Sequence, residues 1–156
     1  MLNTVNQLSR EVDGRYATAE ELQDIKDYLA TADRRISTYK KIRDAEQRIV
    51  DEIETRLLDE DAYIFRKGSK DVTGNYQYDT KNILRCAAAA VLMDTLDRLR
   101  DDILLWQVTI VKAFKVEHLA YRTYQLMPDV MRQYLDDEEM KLVMPALYLN
   151  QTIFDG

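Results

Sequence analysis

From Thr18 to Leu57 apolar residues recur every three or four positions, with charged residues between them, the signature of helices that bury one stripe. Thr18 followed three residues later by Glu21 predicts a capping box at a helix start. A first helix then carries Leu22, Ile25, Tyr28, Leu29 and Ala32 on one face. Asp33 predicts the cap of a second helix, whose stripe is Ile36, Tyr39, Ile42, Ala45, Ile49, Ile53 and Leu57. Asp44 with Arg48 and Glu52 with Arg56, acid before base at i, i+4, predict a solvated outer face.

The rhythm breaks between Asp59 and Thr80, where Gly68, Ser69, Gly74 and Asn75 gather with the aromatics Tyr63, Phe65, Tyr76 and Tyr78. This predicts one substantial loop, and four aromatics in it predict packing against something. A helix resumes over Lys81–Arg100 with Ile83, Leu84, Ala87, Val91, Leu92, Leu96 and Leu99 inward. The run Ala87–Ala90 presents a small-residue surface suited to close helix packing or to a flat ligand. A further apolar helix is expected over Ile103–Leu126, ended or kinked at Pro128. Two short helices should follow over Asp129–Phe154, separated near Asp136 and Asp137, the last one bent at Pro145.

Composition narrows the function classes. Only four Gly and two Pro occur in 156 residues, which excludes collagen-like, disordered and turn-rich all-β chains and fits a single domain over residues 1–156. The 28 acidic against 22 basic side chains leave a net charge of −6, which repels a phosphate backbone and argues against nucleic acid as a partner. The most apolar stretch, Ile103–Val111, is interrupted by Gln107 and Thr109 and is far shorter than the ~20 residues of a membrane helix. With no apolar leader at the N-terminus and one cysteine, the expectation is a soluble, unprocessed cytoplasmic protein.

Nucleotide, hydrolase and metalloprotease strings are absent, and the acidic pairs at Asp101–Asp102 and Asp136–Glu139 read as caps and surface; no enzyme is indicated. His118 alone suggests a haem ligand only weakly, since 38 residues follow it and no second histidine exists; a surface or satisfied histidine is expected. Cys86 holds the most chemical potential. A thiol can attach a ligand covalently, and a place near a helix start favours the thiolate; a small buried hydrophobe is the alternative.

Arg15 to Leu58 resembles, over more than forty residues without a gap, the opening helices of the phycobiliproteins, the light-harvesting subunits of the phycobilisome. Arg15-Tyr16, Glu21-Leu22 with Ile25, Asp33-Arg34-Arg35 and Ile49-Val50 carry the likeness, which is greatest to the allophycocyanin branch. The resemblance implies an all-α, globin-like fold with an N-terminal helical extension and no enzymatic reaction. It also implies pairing with phycobiliprotein subunits or a phycobilisome linker into homo- or hetero-oligomers, on the thylakoid surface. It further implies a linear tetrapyrrole of phycocyanobilin type, with no metal, attached to a cysteine eight residues after a loop tyrosine; Tyr78 precedes Cys86 by that interval.

Carried over on that match, Cys86 forms the thioether and Arg85 pairs with a propionate; the loop aromatics Tyr76 and Tyr78 are expected to hold the chromophore rigid. Glu11 and Tyr16 fall at the family's subunit interface, although the matching basic position is Thr95. The pattern also departs where chemistry matters. The family follows its cysteine with Leu or Ala, then Arg, then Asp, to hold a propionate and the pyrrole N–H groups; here Ala87, Ala88 and Ala89 stand there. A second alignment, on the Arg-Leu-Arg-Asp string Arg98–Asp101, would put Arg98 in the cysteine's place but requires a large deletion. The expectation is therefore a divergent phycobilisome subunit with a bilin at Cys86, or else a pigment-free relative docking on the phycobilisome. For the docking role the candidate surface is Trp106, Tyr121, Tyr124, Tyr134 and Tyr148.

Overall fold

The fold is seen in a computed structural model that describes residue 8 and residues 10–154. Chain entry is set by Arg15, whose guanidinium donates to both Glu21 carboxylate oxygens at 3.0 and 2.7 Å. The capping box forms as expected: Glu21 N–H donates to Thr18 Oγ1 at 3.2 Å, and Thr18 N–H to Glu21 Oε2 at 2.7 Å. These bonds hold the Glu21 carboxyl well down, at about 2.

Helix α1 then runs unbroken over Ala19–Glu60, so Asp33 caps nothing. Asp inside a helix costs only about half a kcal/mol against Ala, and with no Gly or Pro nearby the i→i−4 ladder simply continues. The turns of α1 before Thr38 contribute nothing to its buried set. They are pinned instead at the far end of the next long helix. Tyr28 Oη donates to the Leu92 carbonyl at 2.9 Å, Arg35 Nη1 to the Val91 carbonyl at 2.6 Å, and Arg35 also pairs with Asp94 at 3.2 Å. Cations and donors at a helix C-terminus satisfy carbonyls that have no intrahelical partner.

The expected loop is much shorter than Asp59–Thr80. A hairpin of β1 (Arg66–Lys67) and β2 (Lys70–Asp71) turns at Gly68, whose φ of +63° suits glycine. Helix α2 already begins at Thr73 and extends to Met93, started by Asp71, whose Oδ1 accepts from both the N–H and the hydroxyl of Thr73. Gly74 and Asn75 thus lie in a first helical turn, and Tyr76 and Tyr78 are helical. Of the loop aromatics, Phe65 is buried against Tyr76 with ring centroids 4.7 Å apart, whereas Tyr63 is exposed.

Helix α2 stops at Asp94 in the left-handed conformation, six residues before the expected Arg100. A second helical run follows as α3 (Leu96–Arg98), a π-helical segment over Leu99–Leu104 and α4 (Leu105–Phe114). Lys115, again left-handed, ends α4 in the middle of the expected Ile103–Leu126 helix. Helix α5 (Glu117–Met131) contains Pro128 near its end without stopping there. Helix α6 (Asp137–Phe154) begins at the expected break near Asp136 and Asp137 and contains Pro145, but no separate short helix precedes it, because α5 runs on to Met131. The start of α6 is a second reciprocal box among the described residues: Glu139 N–H donates to Asp136 Oδ1 at 2.8 Å, and Asp136 N–H to Glu139 Oε2 at 3.0 Å.

The core is formed where α1, α2, α5 and α6 meet, around Ile49, Ile53, Leu84, Val91, Met127 and Leu147. The chain is all-α and globin-like as expected, its only strands among the described residues being the two-residue pair of the hairpin. No helix among the described residues is long and apolar enough to cross a membrane.

Candidate functional site

Helix α2 organises the candidate site. Asn75, Asp79, Asn82 and Cys86 follow one another at spacings of four, three and four, which places them along one stripe. Cys86 is the fourteenth residue of α2, not near its start, so the helix N-terminus gives it no help. It is half-buried, and burial pushes its thiol above the ordinary value. The expected thiolate bias is therefore reversed.

Arg85 stands beside it on the outside and donates to both carboxylate oxygens of Glu46 on α1, at 2.6 and 2.7 Å. A bidentate pair is the geometry that would otherwise receive an acidic ligand group. The alanines after Cys86 divide by face: Ala87, Ala88 and Ala90 are buried in the helix packing, and Ala89 is exposed. At 3% exposure, Ala88 has no space for an arginine.

Two turns before Cys86, about 10 Å of helical rise from it, Asp79 opens onto a cavity of about 330 Å³ between α2, α4 and α5. Its walls are mostly apolar: Val72, Ile110, Val111, Phe114, Val116 and Leu119. Polar groups collect at the α2 side, where Tyr76, Tyr78, Asp79 and Thr80 face Gln107, Thr123 and Tyr124. Tyr76 is 7% exposed, and its Oη makes no hydrogen bond among the described residues. Burial raises this hydroxyl to about 12, only partly offset by the neighbouring Thr123 and Thr80 hydroxyls. The Thr123 proton is already donated to the Leu119 carbonyl at 2.7 Å. Tyr124 is also pushed up by burial, with Tyr76 and Asp79 adding to it. Asp79 is half-buried, and burial alone raises its carboxyl above the ordinary value. Lys67, at the rim, donates from Nζ to the Phe114 carbonyl.

A comparison with protein-family models matches residues 8–153 to the phycobilisome protein family. The chain belongs to that family. A comparison with individually curated proteins gave no match. Phycobilisome proteins are light-harvesting proteins that assemble into oligomers and typically carry bilins.

The other sequence candidates are distributed as follows. Tyr76 and Tyr78 line the cavity as a pair, while Cys86 and Arg85 lie beyond it on α2. Glu11 and Tyr16 precede α1, both exposed, Tyr16 to 98%. His118 is exposed on α5. Of the aromatics proposed for docking, Trp106 and Tyr148 are exposed, Tyr121 and Tyr134 are half-buried, and Tyr124 is core. Sequence reasoning missed Asp79, Thr80, Gln107 and Thr123. The available signal was the polar stripe Asn75–Asp79–Asn82–Cys86, hidden once residues before Thr80 were read as loop.

Proposed function

We propose that this phycobilisome family member is a divergent antenna subunit that carries a linear tetrapyrrole on Cys86. The observation supporting this reading is the α2 stripe: a half-buried thiol two turns from a mostly apolar cavity lined on the α2 side by a carboxyl group and a buried hydroxyl. Such a set suits a long conjugated ligand with N–H and C=O groups at intervals. Cys86 would hold the group by adding its S–H across a carbon–carbon double bond, one S–C and one C–H bond replacing a π bond. The addition needs no oxidant or reductant. When bound, the group supplies visible absorption and excitation transfer.

The residues of the chain supply the rest. The apolar walls exclude water, Tyr78 covers the approach, and Lys67 is a cation for a carboxylate side arm once it leaves the Phe114 carbonyl. Arg85 takes such a side arm only by giving up Glu46. The partners in this reading are other phycobiliprotein subunits or a linker, with Glu11 and Tyr16 at the contact, in an oligomer on the thylakoid surface.

A pigment-free docking role is the second reading. It is favoured by the buried Ala88 and the occupied Arg85, and by the apolar surface of Leu105, Trp106, Phe114 and Tyr148, all more than half exposed. Co-expression with bilin synthesis and an attaching lyase, followed by zinc-enhanced fluorescence on a denaturing gel, separates the two. A covalent band lost in Cys86→Ala is expected. No band, beside a coloured control acceptor from the same host, would leave the docking role.

A further inference from the structure

The cavity offers polar groups as well as apolar walls. Tyr76 and Asp79 are three residues apart on α2, so their side chains are neighbours, and both line the cavity. One is a hydroxyl nine-tenths buried that makes no well-formed hydrogen bond, with only the Thr80 and Thr123 hydroxyls beside it, and the other is a half-buried carboxyl whose charge burial disfavours. A buried hydroxyl without a well-formed hydrogen bond is suited to donate to a ligand that accepts from it. A neighbouring carboxyl adds an acceptor. Together they complement a group that presents N–H and C=O side by side.

We propose that Tyr76 and Asp79 form a recognition pair for the lactam edge of a pyrrolic ligand, with Tyr76 Oη donating to the lactam carbonyl and Asp79 accepting from the lactam N–H. The inference rests on the reading that the site takes a tetrapyrrole, and it assigns the end of that molecule that enters the cavity. Gln107 and Tyr124 close the opposite wall. Arg85 is committed to Glu46 on the outside of α2, so the polar end of the cavity is built by Tyr76 and Asp79.

The test uses the full chain with Cys86→Ala, so that binding is reversible, and biliverdin, whose two ends are lactams. Trp106, the one tryptophan of the chain, adjoins the cavity residue Gln107, and its quenching reports binding. Adding Asp79→Ala or Tyr76→Phe should weaken biliverdin about tenfold each, the loss expected for one hydrogen bond to a partly buried group. Tyr76→Phe carries a second readout without ligand: removing an orphaned hydroxyl should leave the melting temperature unchanged or raise it. Equal biliverdin affinity in all variants, or a Tyr76→Phe protein that melts several degrees lower, overturns the inference. Failure of every Cys86→Ala protein to bind biliverdin overturns it too. The reading at Cys86 itself falls only if the wild-type chain also stays colourless on bilin co-expression.

Discussion

Cys86 illustrates how one residue's chemistry is set by where its helix begins. Had α2 started near Lys81, the thiol would lie in the first turns and the helix dipole would favour thiolate. Because α2 starts at Thr73, that help is gone and burial dominates. Cys86 should therefore react with iodoacetamide several-fold more slowly than a free thiol at pH 7.5. The rate should climb as pH rises through its elevated pKa. Timed alkylation followed by intact mass measures both, and a rate equal to glutathione's would contradict the burial argument. The residue-scale features the sequence revealed were those whose cause is local, such as the Thr18–Glu21 box. Asp79 was illegible because its importance comes from α4 and α5 closing over it.

At the scale of elements, periodicity located the helical regions and misplaced their ends. Asp33 looked like a cap, yet the stripe through Ile36 and Tyr39 continues in phase with Leu29 and Ala32, and no Gly or Pro interrupts it. Conversely, α2 and α4 end at Asp94 and Lys115, both left-handed without glycine, and no composition signal marks those stops. Pro128 misled in the other direction, because a helix tolerates proline where the lost N–H bond is near its end or made up by packing. The alanine run resolves by element packing: Ala88 faces the core and Ala89 faces solvent. Ala88→Arg should cost about 1–3 kcal/mol through overpacking, whereas Ala89→Arg should stay within about 0.5 kcal/mol. Urea denaturation of the two variants decides this, and equal stability would refute the assigned packing.

At the scale of the molecule, Glu139 joins the ends of the fold. It accepts from Lys41 Nζ at 2.7 Å and Ser37 Oγ at 3.1 Å on α1, and from the Asp136 N–H that starts α6. Burial opposes its charge, but the bonds from Lys41, Asp136 and Ser37 outweigh it and leave the carboxyl below its ordinary value. A depressed carboxyl stabilises the fold above its unfolded pKa, and that stabilisation is lost as pH falls through the folded value. Glu139→Gln should therefore cost about 1–3 kcal/mol at pH 7. The gap from wild type should shrink below about pH 4. Thermal melts at both pH values would show a constant gap if the assignment were wrong. The all-α class, the family and the thiol were readable from the sequence, but how α2, α4 and α5 enclose a cavity was not.

The most direct test of the account is peptide mass spectrometry on the chain co-expressed with bilin synthesis and lyase. Trypsin cuts after Arg85 and next at Arg98, which isolates Cys86 in its own peptide. The account predicts that this peptide carries the added mass of one tetrapyrrole. An unmodified Cys86 peptide, from a host in which a control acceptor is fully coloured, would contradict it.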